Sequence, residues 1–259
     1  MKPIFLSVAF VSILGLGMLS AEEGFVPIFD GESLEGWKAA RSDKAGEWGP
    51  FRINSEERAI HVYRGEEAES KQQNDCLYTE KEYSKFVLRM EYKWLEKRFA
   101  PRTDWDRDAG LLFHIHGKVD KVWPNSIEMQ IGETPGDASL ENMGRRFHSG
   151  DLFVLGKGLS CQTTKTGNIY DPAAELMDSR SCPTVLGKEK PKGEWNEMEI
   201  TVDGANSATF KLNGEIVHKI ENLETTIEGQ KVPLAKGRIG VQAEWAELMY
   251  RNIRIKELD

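Results

Sequence analysis

The sequence has little that is basic, little that is helical and few cysteines. Its 34 Lys and Arg are outnumbered by 42 Asp and Glu, for a net charge of -8. Such a chain lacks the clustered cations that a phosphate backbone requires, which sets nucleic acid aside as a partner. Cys76, Cys161 and Cys182 are the only cysteines, and no two are close enough to form a zinc knuckle. Cys161 and Cys182 flank a stretch rich in Thr, Gly and Ser. In an oxidising compartment they either staple that stretch or remain buried thiols. Runs with a 3.6-residue period are scarce; Ala173 to Arg180 is the one short helix the pattern predicts. No period typical of solenoids or propellers is visible.

Only one apolar run is long, and it opens the chain. Met1-Lys2-Pro3 precedes an uncharged stretch from Ile4 to Leu19, followed by Ser20-Ala21 and then Glu22-Glu23. One cation, an apolar stretch and a small residue make a secretory signal pattern, with cleavage expected after Ala21. The alternative, an uncleaved anchor, falls short of the roughly 20 apolar residues that a spanning helix needs. The expectation is a signal peptide at 1–21 and one domain at 22–259, periplasmic or secreted and free of the membrane once the signal is removed.

What is present in abundance is period-two alternation. Phe86, Leu88, Met90, Tyr92 and Trp94 share one face of a strand, with Val87, Arg89, Glu91 and Lys93 on the other. Met198, Ile200 and Val202 alternate with Glu197, Glu199 and Thr201. Ala208, Phe210 and Leu212 follow, and Asn213-Gly214 turns the chain into the run from Glu215 to Ile220, a strong hairpin signal. Ile239, Val241, Ala243 and Trp245 alternate with Gly240, Gln242 and Glu244. In a last strand from Leu248 to Leu258, Arg251 shares parity with Ile253 and Ile255. This predicts either a bulge or a buried Arg–carboxylate pair. Many short strands separated by turn residues predict an all-β protein: a two-sheet antiparallel β-sandwich or jelly roll. The stretch 133–192 is Gly-rich and weakly patterned, and reads as a long loop region walling a site.

Several segments together resemble one family. Gly24 to Trp37 carries Phe29-Asp30-Gly31, Leu34 and Gly36-Trp37. Ala109-Gly-Leu-Leu-Phe-His114, Trp123-Pro-Asn-Ser-Ile-Glu-Met-Gln130 and Gly150-Asp151 follow. Gly193-Glu-Trp-Asn196, Leu212-Asn-Gly214, Gly237 to Gln242 and Tyr250-Arg-Asn-Ile253 complete the series. In this order, over residues 24 to 258, they are similar to the 3-keto-disaccharide hydrolase domain family. The resemblance implies a concanavalin-like jelly roll. It also implies cleavage of a glycosidic bond in a 3-keto-glycoside by hydrolysis or elimination. The substrate partner would be an oligosaccharide or glycoside, and a sugar 3-dehydrogenase would supply the ketone.

The alternation suggests which residues meet. Glu128 and Gln130 lie opposite Ile127 and Met129, and would face a concave surface if the apolar side packs. Strict alternation puts Leu112, His114 and His116 on one side of the preceding strand. His114, His116 and Glu128 are therefore the expected catalytic residues, and equally a ligand set for one divalent metal ion. Gln130, Trp123, Arg89, Glu91, Arg146, His148, Asp151, Gln242 and Glu244 are expected around the substrate, and Arg145 joins Arg146 in that loop. A ketone at C3 acidifies the proton on C2, so a base and a cation for the enolate would suffice. Glu128-x-Gln130 lacks the second carboxylate that a double-displacement glycosidase carries nearby. Two other readings remain open: a non-catalytic carbohydrate-binding module, and an ordinary glycoside hydrolase pairing Glu128 with Glu91 or Glu244. Trp37, Trp48 and Trp195 are expected in the core.

Overall fold

A computed structural model describes residues 24–42, 47–133, 147–163, 169–170, 181–182, 184 and 187–259. The expected signal peptide, the 173–180 helix, Arg145 and Arg146 lie outside the described residues. Those residues are all-β: two antiparallel sheets packed face to face as a jelly roll, with no helix among them.

The eleven-stranded sheet is built around the strand whose alternation is clearest. β6 (Lys85–Arg98) lies between β13 (Asn196–Asp203) and β18 (Ala246–Glu257). Beyond β13 come β14 (Ser207–Leu212), β15 (Glu215–Ile227), β10 (Ser160–Thr163) and β11 (Ile169–Tyr170). Beyond β18 come β4 (Ala59–Val62) and β3 (Phe51–Asn54). β1 (Val26–Pro27) and β16 (Gln230–Pro233) add to β18 and β15. Asn213 and Gly214 both take positive φ, 51° and 84°, as a two-residue hairpin turn requires. The seven-stranded sheet runs β12 (Ser181–Cys182), β9 (Leu152–Leu155), β8 (Ser126–Gly132), β7 (Asp108–Ile115), β17 (Arg238–Ala243), β5 (Asp75–Thr79) and β2 (Trp37–Ala39).

The predicted inner faces meet in one core. Phe86, Leu88, Met90, Tyr92 and Trp94 pack with Met198, Ile200, Val202 and Phe210 against Leu111, Phe113, Ile127, Met129 and Val241 of the other sheet. Each such side chain contributes about 1.5–3 kcal/mol on burial, so the two-residue period alone fixes which faces stack. Trp37 is core and Trp48 packs against its margin.

Four expectations are corrected here. The stretch 133–192 is not simply loop, because four short strands within it, β9 to β12, extend both sheets; at two to four residues each, they are too short to show periodicity. Trp195 is not core: its ring lies on the outer face of the larger sheet between Lys93 and Arg251, at 4.6 and 3.8 Å from its centroid. Arg89 and Glu91 lie on that same outer face. Arg89 is paired with Glu199 at 2.5 Å and Glu91 with Arg251 at 2.6 Å. Neither can reach Glu128, because the whole sandwich core intervenes. For Arg251 the bulge occurs: a register shift follows it, with Asn252 at φ 52°, and its pairing with Glu91 is on the partly exposed outer face rather than buried. Cys76, Cys161 and Cys182 are buried thiols, and Cys161 is pushed up to about 12 by burial and by the neighbouring Cys182.

Candidate active site

The outer face of the seven-stranded sheet carries the polar residues that the core face excludes. β7 and β8 pair with Leu112 opposite Glu128 and Gly110 opposite Gln130, while Val241 of β17 pairs with Leu111. Glu128, Gln130, Gln242 and Asp108 therefore project to the same side. All are at least 95 % buried within that face, as is Glu244 just beyond the end of β17. Glycine at 110 makes the arrangement possible. A Cβ there would collide with the Glu128 carboxyl and with the Gln242 side-chain oxygen, so these two groups lean together over bare backbone.

Among the described residues, Glu128 has no cation in contact. Burial pushes its carboxyl well up, and the charges of Glu244 and Asp108 push it further. With its amide turned so that nitrogen faces both acceptors, Gln130 donates to Glu128 Oε1 at 2.7 Å and to the Ala109 carbonyl at 2.8 Å. Gln242 donates from Nε2 to the Val122 carbonyl at 3.1 Å, while its Oε1 has no donor among the described residues. Phe153 lies across the strand pair from Glu128, with Phe147 edge-on to it at 5.5 Å.

A second acidic pair adjoins Glu128. Arg102, in the 99–107 connection between β6 and β7, donates from Nη1 to both Asp108 oxygens at 2.8 and 2.9 Å and to Glu244 Oε2 at 3.2 Å. Trp123 donates from Nε1 to Glu244 Oε1 at 3.0 Å. Burial raises Asp108 to about 6 against the pull of Arg102, and it raises Glu244 to about 8 with help from the Asp108 charge. Two carboxyls around one guanidinium, with Glu128 beside them, cannot all be ionised cheaply, so the cluster retains a proton at neutral pH. Three indoles surround Arg102: Trp245 at 4.6 Å, Trp105 at 4.9 Å and Trp123 at 6.0 Å. Trp105 and Trp123 are 42 % and 39 % exposed, and they form the rim. Trp245 and Glu244 both reach Arg102 because Trp245 takes φ 63°, which breaks the alternation.

The expected His114–His116–Glu128 group does not assemble. Between the Gly240–Leu112 and Arg238–Ile115 pairings, β7 holds one residue more than β17, and His114 takes φ 52° in this bulge. The extra residue flips the parity. Leu112 and Ile115 share the outer face, while His114 turns inward against Phe86 and Phe113. There it is fully buried and lowered to about 4 by burial, with Nε2 donating to the Gly204 carbonyl at 2.9 Å. His116 uses Nδ1 on the His114 carbonyl at 3.0 Å and Nε2 on Thr225 Oγ1 at 3.2 Å. No three His, Cys, Asp or Glu side chains among the described residues converge as metal ligands. The predicted ligand set thus does not fit a metal.

Asp151 is also spent internally. Its Oδ2 accepts from the His148 amide at 3.0 Å and its Oδ1 from the Thr184 amide at 2.8 Å. It ties the 147–151 turn to β8, where the backbones of Gln130, Gly150 and Asp151 also bond. The His148 ring stays beside Asp151, at 3.6 Å. Of the residues expected from sequence, the structure therefore gathers Glu128, Gln130, Gln242, Glu244 and Trp123. Arg102, Trp105 and Asp108 join them unforeseen. The charge-rich segment Arg102-Thr-Asp-Trp105-Asp-Arg-Asp108, with a tryptophan at its centre, was the available signal, but it has no strand period to orient it.

Comparison with known proteins agrees with this architecture. Residues 24–256 match the 3-keto-alpha-glucoside-1,2-lyase-like domain. A 3-keto-disaccharide hydrolase of Bacteroides thetaiotaomicron is 25 % identical over 92 % of this chain and 79 % of its own. Two crystal structures of Parabacteroides distasonis proteins assigned as glycosyl hydrolases share the fold. One has TM-score 0.55 at 16 % identity, covering 92 % of this chain and 95 % of its own; the other has 0.52 at 18 %, covering 90 % and 99 %. With nearly its whole described length matched, the chain belongs to the 3-keto-alpha-glucoside-1,2-lyase-like domain family.

Proposed function

We propose that this protein is an exported carbohydrate-active enzyme that cleaves the glycosidic bond of a 3-keto-glycoside, with Glu128 as the base. The observation that carries the reading is that Glu128, buried and with no cation in contact among the described residues, shares one face with the proton-retaining Asp108–Glu244 pair. Elimination from a 3-keto sugar needs both. Glu128 first gives up the proton that burial favours on it, and its carboxylate form then takes the proton from C2. The C–H electron pair becomes the C2–C3 double bond, and the carbonyl pair moves to O3 as an enolate. When the carbonyl reforms, the C1–C2 double bond forms and the C1–O bond breaks. The departing oxygen takes the proton held by the Asp108–Glu244 pair. Addition of water to the resulting enone completes net hydrolysis; release before that step gives a lyase. The ketone has to be installed beforehand by an oxidoreductase acting at C3 of the sugar.

The proximity of Glu244 to Glu128 also supports a second reading, an ordinary glycoside hydrolase with these two as its carboxylate pair. One experiment separates the two. Wild type and Glu128→Gln are assayed on methyl 3-keto-α-glucoside and on methyl α-glucoside, with and without EDTA. Turnover of the keto sugar alone, lost in the variant, supports the first reading. Turnover of the parent glycoside overturns it in favour of the second. Binding without turnover of either sugar leaves a carbohydrate-binding module. Loss of activity in EDTA, restored by a divalent cation, would bring in a metal on ligands other than the His114 set.

A further inference from the structure

Arg102 has hydrogen-bonding capacity that no described residue uses. All three of its bonds to Asp108 and Glu244 leave from Nη1, and its side chain is 17 % exposed. Among the described residues, Nε and Nη2 have no acceptor. A guanidinium has five N–H donors in a planar fork, so about three remain. The group is partly exposed and flanked by Trp245, Trp105 and Trp123, the last two at the surface. A planar cation fixed by two carboxylates, partly exposed beside two half-exposed indoles and with donors unspent among the described residues, suits an oxygen atom that gains negative charge during reaction.

We infer that Arg102 is a catalytic residue whose Nε and Nη2 donors hold the C3 oxygen of the keto sugar, first as carbonyl and then as enolate. The inference rests on the proposed keto-sugar reading. It assigns to this side chain the enolate-holding role that a cation must fill. Asp108 and Glu244 fix the guanidinium plane through Nη1, so little reorganisation accompanies the charge shift at O3. The same assignment accounts for the rim: Trp105 and Trp123 lie where the ring bearing that ketone would stack. The unoxidised parent sugar has a hydroxyl at C3, which gains no charge, so Arg102 is a specificity determinant as well.

The test uses the full-length protein with Glu128→Gln as background, so that bound sugar is not turned over. Calorimetry compares methyl 3-keto-α-glucoside with methyl α-glucoside, and infrared spectroscopy reads the C=O stretch of the bound ketone. The background protein is expected to prefer the keto sugar by about tenfold or more, the size of a charge-assisted hydrogen bond. It should also lower the C=O frequency. Adding Arg102→Lys should reduce the preference to about twofold and return the frequency toward its value in water, with affinity for the parent sugar changed by no more than about threefold. A doubly substituted protein that keeps both the preference and the frequency shift overturns the assignment. If the lysine variant does not fold, Arg102→Ala is read with added guanidinium, where return of the preference supports the inference and its absence opposes it. A background protein with no preference for the keto sugar would instead bring down the keto-sugar reading, and this inference with it.

Discussion

The carboxyl of Glu128 occupies the space above Gly110 that a Cβ would fill in any other residue. The Gln242 side-chain oxygen shares that space, so a strand position with ordinary φ still demands glycine. Gly110→Ala should therefore displace both side chains. We expect kcat/KM to fall by about tenfold or more and the fold to lose about 1–3 kcal/mol, the usual cost of overpacking. Steady-state kinetics and denaturant titration measure the two effects, and unchanged kinetics would show that the placement of Glu128 is not what matters.

Glu128→Gln separates stability from activity. The folded state holds the Glu128 proton well above the ordinary carboxyl range. The unfolded chain loses that proton near 4.5, so the native protein binds more protons than the unfolded one above that pH. Stability attributable to this group is then complete at acid pH and declines as pH rises. The amide carries no such penalty and offers an N–H to the orphan oxygen of Gln242. The variant should match wild type in Tm near pH 4 and exceed it by several degrees near pH 8, while activity is abolished. Differential scanning calorimetry at both pH values decides the point.

Trp123 donates its only N–H to Glu244, and that bond favours the ionised carboxylate. Removing the donor should let burial raise Glu244 beyond about 8. Since the departing oxygen needs the proton held there, activity falls as that proton is lost at alkaline pH. Trp123→Phe should move the alkaline limb of the kcat/KM profile upward, by about one pH unit for a charge-assisted bond. An unmoved limb would mean that Glu244 is not the titrating group.

His114 should prove structural. Its imidazole is neutral in the fold, lowered to about 4, whereas the unfolded chain takes a proton near 6.5. Stability attributable to it is therefore lost as pH falls from about 6.5 to about 4, by up to about 3 kcal/mol. His114→Gln retains an N–H for the Gly204 carbonyl and should flatten that acid slope, with kcat within about threefold of wild type. A large loss of kcat at unchanged stability would return His114 to the chemistry.

Much of this was legible in the residues. The alternation from Phe86 to Trp94, the Asn213-Gly214 turn and the inward set Met198, Ile200, Val202 and Phe210 are local patterns, and the core reproduces them. Glu128, Gln130, Gln242 and Glu244 were placed together because parity along a strand survives folding wherever the pairing is regular. Parity misled where a bulge broke it, at His114. It was also silent about sheet identity, since Arg89 and Glu91 have the right parity on the wrong sheet.

The residues alone carried the longer strands and the sandwich, because hydrophobic burial follows a two-residue period, and the ordered motifs from Gly24 to Ile253 carried the family. The fold decided what parity could not: the side His114 takes, through one extra residue in β7, the sheet that carries Arg89 and Glu91, and the approach of the 99–107 connection. That connection brings Arg102 to Glu244 across 142 residues of chain, as well as to Asp108 six residues on. Its placement depends on packing between sheets, which no local spacing encodes.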